Sequence, residues 1–192
     1  EGPDPVVRTA AAKVVIGSDA RLIAFGKKYP SPDIAVETQF KIGECYYYLG
    51  RRHMELAEGE AKAEAKEALL KMAREELATG QRILDELVRT YPDSVKIDQA
   101  AYLLANLAQE QMRYDEAIEV YRRITSNWPD SPVAPEAQYK IGLCYERKGD
   151  FDLACDEYVR LAYKYPENLL IGDAMIRIGK FYFDAKNYDP AI

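Results

Sequence analysis

Few residues in this chain could do metal or covalent chemistry, and they do not gather. His53 is the single histidine. A zinc centre needs three or four nitrogen, sulfur or oxygen ligands at one point, and the sequence supplies neither a second histidine nor a paired-cysteine spacing. His53 therefore reads as a surface residue of a helix, and no metal is expected. Cys45, Cys144 and Cys155 are the only thiols; buried free cysteines are one reading and a Cys144–Cys155 bridge is the other. There is no G-x-S-x-G elbow, no P-loop and no dinucleotide-type glycine cluster. The 32 Asp and Glu residues are spread along helical faces, where charge usually serves solvation, and no cleft of perturbed groups can be located. Neither an enzyme nor a cofactor is expected.

What remains is binding, and composition narrows the partner. A net charge of −6 argues against nucleic acid, which is held by clustered Lys and Arg. No run of 18 apolar residues is present, so no span of a membrane is expected. The start, Glu1-Gly2-Pro3-Asp4-Pro5, lacks the charged and apolar regions of a signal peptide. An apolar fraction of 48% is enough for a packed core.

The elements that would carry a binding surface follow a ruler. Pro30, Pro92, Pro129 and Pro166 each follow an aromatic residue, Tyr or Trp, and the last two steps are both 37 residues. The first step, of 62, is one period plus an insertion of 25. Thirteen residues after each proline stand Gly43, Ala105, Gly142 and Gly179, preceded by Ile42, Leu104, Ile141 and Ile178. Three residues further on are Tyr46, Ala108, Tyr145 and Tyr182. Spacings of one and four share a helical face, and the small residue lets a second helix come close. That second helix opens at Asp115, Asp152 and Asp189, whose carboxylates could accept first-turn amides and favour the positive dipole end. It continues with Ala117, Ala154 and Ala191, expected to face the small residue of the first helix, then Tyr121 and Tyr158, then Ile124 and Leu161. The aromatic–proline pair ends it. Asp93-Ser94 and Ser131-Pro132 read as the next helix starts.

A pattern of L-G-x-x-Y, A-x-x-x-Y and a closing proline resembles the tetratricopeptide repeat. The resemblance implies an all-α, right-handed solenoid of helical hairpins. The units are a degenerate leading one at 5–30, one at 31–92 carrying a helical insertion at about 51–75, regular copies at 93–129 and 130–166, and a partial copy at 167–192. The expected head tryptophan is replaced by Gln39, Ala101, Gln138 and Met175. The period exceeds the family's 34, the surplus lying after the proline. The long connectors, clearest from Trp128 to Tyr145, resemble bacterial cell-envelope members such as BamD-type outer-membrane assembly lipoproteins and Tol–Pal coordination proteins. That implies a periplasmic or envelope setting, with the cytoplasm as the alternative.

Two further features bear on partners. The insertion, Arg51 to Glu75, follows Gly50, the turn glycine equivalent to Gly149, and is rich in helix formers. It reads as a hairpin arm with its tip near Gly59, each helix longer by about a dozen residues or about 18 Å, zipped by Leu56, Leu69, Leu70, Met72 and Leu77. The last first-type helix, Asp173 to Lys186, is apolar on a face that Ala191-Ile192 begins to cover. This reads as a piece of a longer array, or as a helix that docks on a partner. Either the arm or this face could build a homo-oligomer.

The resemblance also implies a groove lined by the first helix of each unit. Carried onto this chain, its positions hold Glu37, Phe40, Glu44, Tyr47 and Tyr48, then Gln99, Tyr102, Asn106, Gln109 and Glu110. The later copies add Glu136, Tyr139, Leu143, Glu146 and Arg147, then Asp173, Ile176, Lys180, Phe183 and Asp184. Phe40, Tyr102 and Tyr139 would form an aromatic ladder, or else pad the packing between helices. A ladder of three rings offers roughly 5–9 kcal/mol gross at about 1.5–3 each, which association costs reduce to micromolar binding. An extended or helical peptide, basic or neutral given the acidic surroundings, is the expected ligand. The resulting reading is a non-catalytic adaptor for a protein or peptide, with a self-association scaffold or a receptor domain of a larger enzyme as alternatives.

Overall fold

Each aromatic–proline pair stops its helix in the same way. Tyr91, Trp128 and Tyr165 have φ/ψ of −131/61°, −132/61° and −132/60°, outside the α region because the ring of the following proline would collide there. Each still donates its N–H to the carbonyl four residues back, Leu87, Ile124 or Leu161, at 2.9 Å. A two-step turn follows every time: Ser94 to Tyr91 and Ile97 to Ser94, then Ser131 to Trp128 and Ala134 to Ser131, then Asn168 to Tyr165 and Ile171 to Asn168. This turn holds the surplus of the 37-residue period. It also moves the helix starts beyond Asp93-Ser94 and Ser131-Pro132, to Ile97 and Ala134.

The computed structural model describes residues 32–184, and its described elements are all helical. They are α1 (Pro32–Glu58), α2 (Ala63–Thr90), α3 (Ile97–Glu110), α4 (Tyr114–Asn127), α5 (Ala134–Lys148), α6 (Phe151–Lys164) and α7 (Leu170–Asp184). The expected leading unit at 5–30 and the residues around Asp189 and Ala191 lie outside the described range. The chain divides into two compact units after Leu107, within α3.

In the first unit α1 and α2 form an antiparallel hairpin of 27 and 28 residues. Two glycines make the close approach. A Cβ on Gly43 would lie 2.6 Å from the Leu84 side chain, and one on Gly80 would lie 3.2 Å from the Gly43 carbonyl and the Tyr46 Cβ. Position 80 is the place of Ala117 and Ala154 in the later copies, so the small residue of the second helix does face the small residue of the first. The space at Gly43, however, is filled by the large residue four positions on. Phe40, Tyr47, Leu84 and Leu87 continue this core into Ala100, Leu103 and Leu107 of α3.

The insertion is the outer part of that hairpin, with its tip at residues 59–62 between the two helices. Gly50 is not a turn residue. It sits inside α1, where Leu77 packs at 2.6 Å from the place of a Cβ. The arm is closed by Ala57 and Ala73, each 1% exposed, while Leu56 and Met72 face solvent. His53 is no surface residue either: it is buried, and its Nδ1 lies 2.6 Å from Glu76 Oε2 of the opposing helix. A polar side chain at the seam is tolerated because its partner stands directly across from it.

In the second unit Gly142 of α5 receives the ring of Tyr158, whose Cε1 would be 2.4 Å from a Cβ there. Tyr121, Ile124, Tyr158 and Leu161 are all buried. Gly149 takes φ +84° as the left-handed cap of α5, where glycine carries no steric cost. Asp115 and Asp152 lie one residue inside α4 and α6, and neither helix has a side-chain cap. These aspartates act on the helix through charge; Asp115 also accepts from Lys148 Nζ at 2.6 Å. Glu157, 4% exposed, ties three helices together by accepting from Arg122 of α4, Arg160 of α6 and Gln138 of α5 at 2.9, 3.2 and 2.8 Å. All three cysteines are free, so the Cys144–Cys155 bridge does not form.

Candidate partner-binding groove

The second unit holds a cavity of about 680 Å³. Its walls come from four elements. Gln109 comes from α3, Leu143, Glu146 and Arg147 from α5, and Arg177, Lys180, Phe181 and Asp184 from α7, with Phe151 at the head of α6. Phe151 and Phe181 stack with centroids 5.2 Å apart and planes at 17°, and Leu143 extends this apolar floor. Arg147 and Lys180 stand on the rim, exposed, and enter no ion pair among the described residues.

Below the rim lies a fixed polar network. Arg177 donates through Nε to the Tyr139 hydroxyl at 2.8 Å and to Asp173 Oδ2 at 2.9 Å, and through a terminal nitrogen to Glu146 Oε2 at 2.8 Å. Tyr139 donates its own hydroxyl to Asp173. That donation, with Arg177 second, holds the Asp173 carboxyl below the ordinary carboxylate range. Burial first, and the bond to Asp173 second, push the Tyr139 phenol up to about 12. Burial pushes the Cys144 thiol up to about 11 from 9.0. An acid whose pKa rises on folding contributes stability that is whole below its unfolded pKa and is lost as pH rises through the folded value. Thermal melts should therefore hold steady up to pH 9.0 and fall from there to about 12. Cys144→Ala should remove the lower part of the fall, and a melt flat to the top of that range would contradict the buried thiol and phenol.

Of the expected groove residues, Gln109, Leu143 and Arg147 line this cavity together with Glu146, Lys180 and Asp184. Glu136 is exposed outside it. In the first unit Glu37 lies 3.5 Å from Lys96 and Glu44 lies 2.9 Å from Lys41. Tyr48 is 40% exposed and packs edge-on against Tyr47, which is buried. Gln99 is half-buried and Asn106 is buried. Phe40, Tyr102 and Tyr139 are 3, 9 and 7% exposed. Phe40 belongs to the buried cluster with Leu84 and Leu87 of α2, and the Tyr139 ring meets that of Tyr158 on α6 at 5.5 Å. Of the two readings of the ladder, packing between helices is the one the geometry takes. Arg177, Phe151 and Phe181 were not expected in the groove. Only Arg177 left a signal, as the residue four after Asp173 on one helical face.

Paired antiparallel helices repeating every 37 residues define a helical-hairpin repeat protein. The chain belongs to the tetratricopeptide repeat family: the pattern of that repeat matches residues 65–132 and again residues 102–168, together more than half of the sequence. Among solved structures, the chain is similar to MamA of AMB-1, at 18% identity over 91% of this chain and 87% of that one, with a TM-score of 0.51. It is also similar to MamA of MSR-1, at 16% identity over 93% and 90% with a TM-score of 0.50. At such identities the likeness is one of fold. No curated protein matches the chain. Family and fold make it a protein-interaction scaffold. No described helix is long and apolar enough to cross a membrane, and no group of three or more metal-binding side chains occurs among the described residues.

Proposed function

We propose that this chain is a non-catalytic adaptor that takes a segment of a partner protein into the groove of its second unit. The observation that carries the reading is the cavity floored by Leu143, Phe151 and Phe181 and rimmed by side chains able to bond a peptide backbone or its charges. One apolar side chain of the partner would seat on the floor, while Gln109 satisfies its main chain. Among the described residues the rim charges outside an ion pair are Arg147, Lys180 and Asp184, two cations to one anion, so an acidic or neutral segment fits here better than the basic one expected from the acidic surroundings. The setting we assign is bacterial envelope assembly, on the strength of the long Trp-Pro and Tyr-Pro connectors; the cytoplasm is the competing location.

A partner isolated on the chain should lose at least about tenfold in affinity, or about 1.4 kcal/mol, to Leu143→Asp. A surface charge reversal, Arg147→Glu with Lys180→Glu, should act in the same direction. For the charge reversal at the exposed Arg147 and Lys180, stability should shift by no more than about 0.5 kcal/mol, as for surface changes in general. Undiminished binding in both variants would sink the groove reading. Self-association is the second reading, favoured by Leu56 and Met72 of the arm, which are 42 and 46% exposed. A sedimenting species that stays monomeric across concentrations would remove it.

A further inference from the structure

The seam between α1 and α2 repeats itself along the arm. α1 offers Gly43, Gly50 and Ala57 at steps of seven, and α2 offers Leu84, Leu77 and Leu70 at the same step in the opposite direction. A Cβ on Gly43 would lie 2.6 Å from Leu84, and one on Gly50 would lie 2.6 Å from Leu77. Ala57, the next seat, is 1% exposed. The backbones close up at the same step: a Cβ on Gly80 would be 3.2 Å from the Gly43 carbonyl, and one on Gly50 would be 3.1 Å from the Ala73 carbonyl. His53 and Glu76 meet across this seam at 2.6 Å. Every one of these contacts joins α1 to α2, and each is the same whether the two helices belong to one chain or to two copies paired antiparallel. Only the tip, residues 59–62, decides between those arrangements.

The tip carries little that demands a turn. α2 has no side-chain cap, and α1 has no basic residue in its last turn. Glu55 and Glu58 stand there instead, unfavourably placed at the negative end of the helix dipole. Gly59 does not use the left-handed conformation that glycine favours; among the described residues Gly149 is the one glycine with positive φ. Two bonds hold the tip, from the Glu60 N–H to the Ala57 carbonyl at 3.4 Å and from the Lys62 N–H to Glu60 Oε1 at 2.9 Å. A continuous helix replaces both with its own ladder. From Glu55 to Met72 there is no proline and no second glycine, and Glu58 and Lys62 stand four apart in the order that supports a helix. We propose that the arm is an exchange point between two copies of this chain. The tip straightens, Pro32 to Thr90 becomes one helix, and the α1 part of each copy takes the α2 part of the other through the same seats. The exchange rests on the self-association reading and is independent of the groove.

The test is sedimentation velocity of the full chain up to about 1 mM, with Gly59→Ala and Ala63→Pro beside the parent. Gly59→Ala removes the poor helix former from two straightened tips and should tighten the dimer about thirtyfold. A Cβ there meets only the Leu56 carbonyl, at 3.9 Å, so the hairpin accepts it. Ala63→Pro fits the hairpin too. Ala63 is the first residue of α2, a position proline favours, and Lys62 before it already has φ −87° and ψ 120°, the region a residue preceding proline adopts. Inside a straight helix the same proline breaks the ladder. The variant should therefore melt as the parent does and weaken the dimer by at least about a hundredfold. Donor and acceptor dyes in place of Lys41 and Glu86 of one chain, diluted in unlabelled chain, should transfer energy in the monomer. They should lose that transfer in the dimer, where one helix holds them about 68 Å apart. A Gly59→Ala chain that stays monomeric throughout would overturn the proposal and self-association with it. A dimer that survives Ala63→Pro, or one that keeps the energy transfer, would overturn the exchange alone and leave association through Leu56 and Met72.

Discussion

Tyr158→Ala should be the most damaging single truncation in the second unit, lowering its stability by about 3–5 kcal/mol, the range for large aromatic residues cut to alanine in a core. Tyr158 is 1% exposed. Its ring lies over Gly142 and beside Tyr139, and neither neighbour can close the gap. Gly142 has no side chain to swing in, and Tyr139 is held at its hydroxyl by Arg177 and Asp173. The loss therefore includes both the buried area and an unfilled cavity. Urea unfolding followed by far-UV circular dichroism would measure it. A cost below about 1 kcal/mol would mean that the ring is peripheral.

Two glycines one period apart should respond to the same substitution with opposite sign. Gly142→Ala places a methyl 2.4–2.8 Å from three atoms of the Tyr158 ring. Overpacking of that kind costs about 1–3 kcal/mol, more than the roughly 1 kcal/mol that alanine gains over glycine in a helix. Among the described residues Gly179→Ala meets nothing within 4 Å, so only the propensity gain is left and the melting temperature should rise. The same pair of changes also distinguishes a covered helix face from an uncovered one in solution. If both variants melted lower, the space over Gly179 would be filled.

The features legible in the sequence are those decided within a few residues. The proline acts on the residue before it, so Tyr91, Trp128 and Tyr165 could be placed at helix ends, and their dihedrals agree to within a degree. The arm was legible because Arg51 to Glu75 is made of helix formers around a single Gly59. What depends on pairing between helices was not. His53 looks like any polar helix residue until Glu76, 23 residues later, is brought opposite it. Gly50 matches Gly149 in sequence position, yet only Gly149 turns left-handed, because the insertion carries α1 straight on past Gly50. The rings of Phe40, Tyr102 and Tyr139 were readable as one stripe, but spacing along a single helix does not say whether a stripe faces a groove or a second helix. Around the cavity of the second unit, the positions of Gln109, Leu143 and Arg147 followed from register. Phe151 and Phe181 belong to it because of how α6 and α7 meet, which no local pattern encodes.

The fold rests on a small residue in one helix receiving a large one from the next, and the most direct measurement of that is a double-mutant cycle on Gly142 and Tyr158. In the parent, Gly142→Ala should destabilise by about 1–3 kcal/mol. In the Tyr158→Ala background the same change should stabilise by up to about 1 kcal/mol, since the ring it opposed has gone. Additive effects, with Gly142→Ala costing the same in both backgrounds, would show that the two residues do not meet and that the paired seats do not exist.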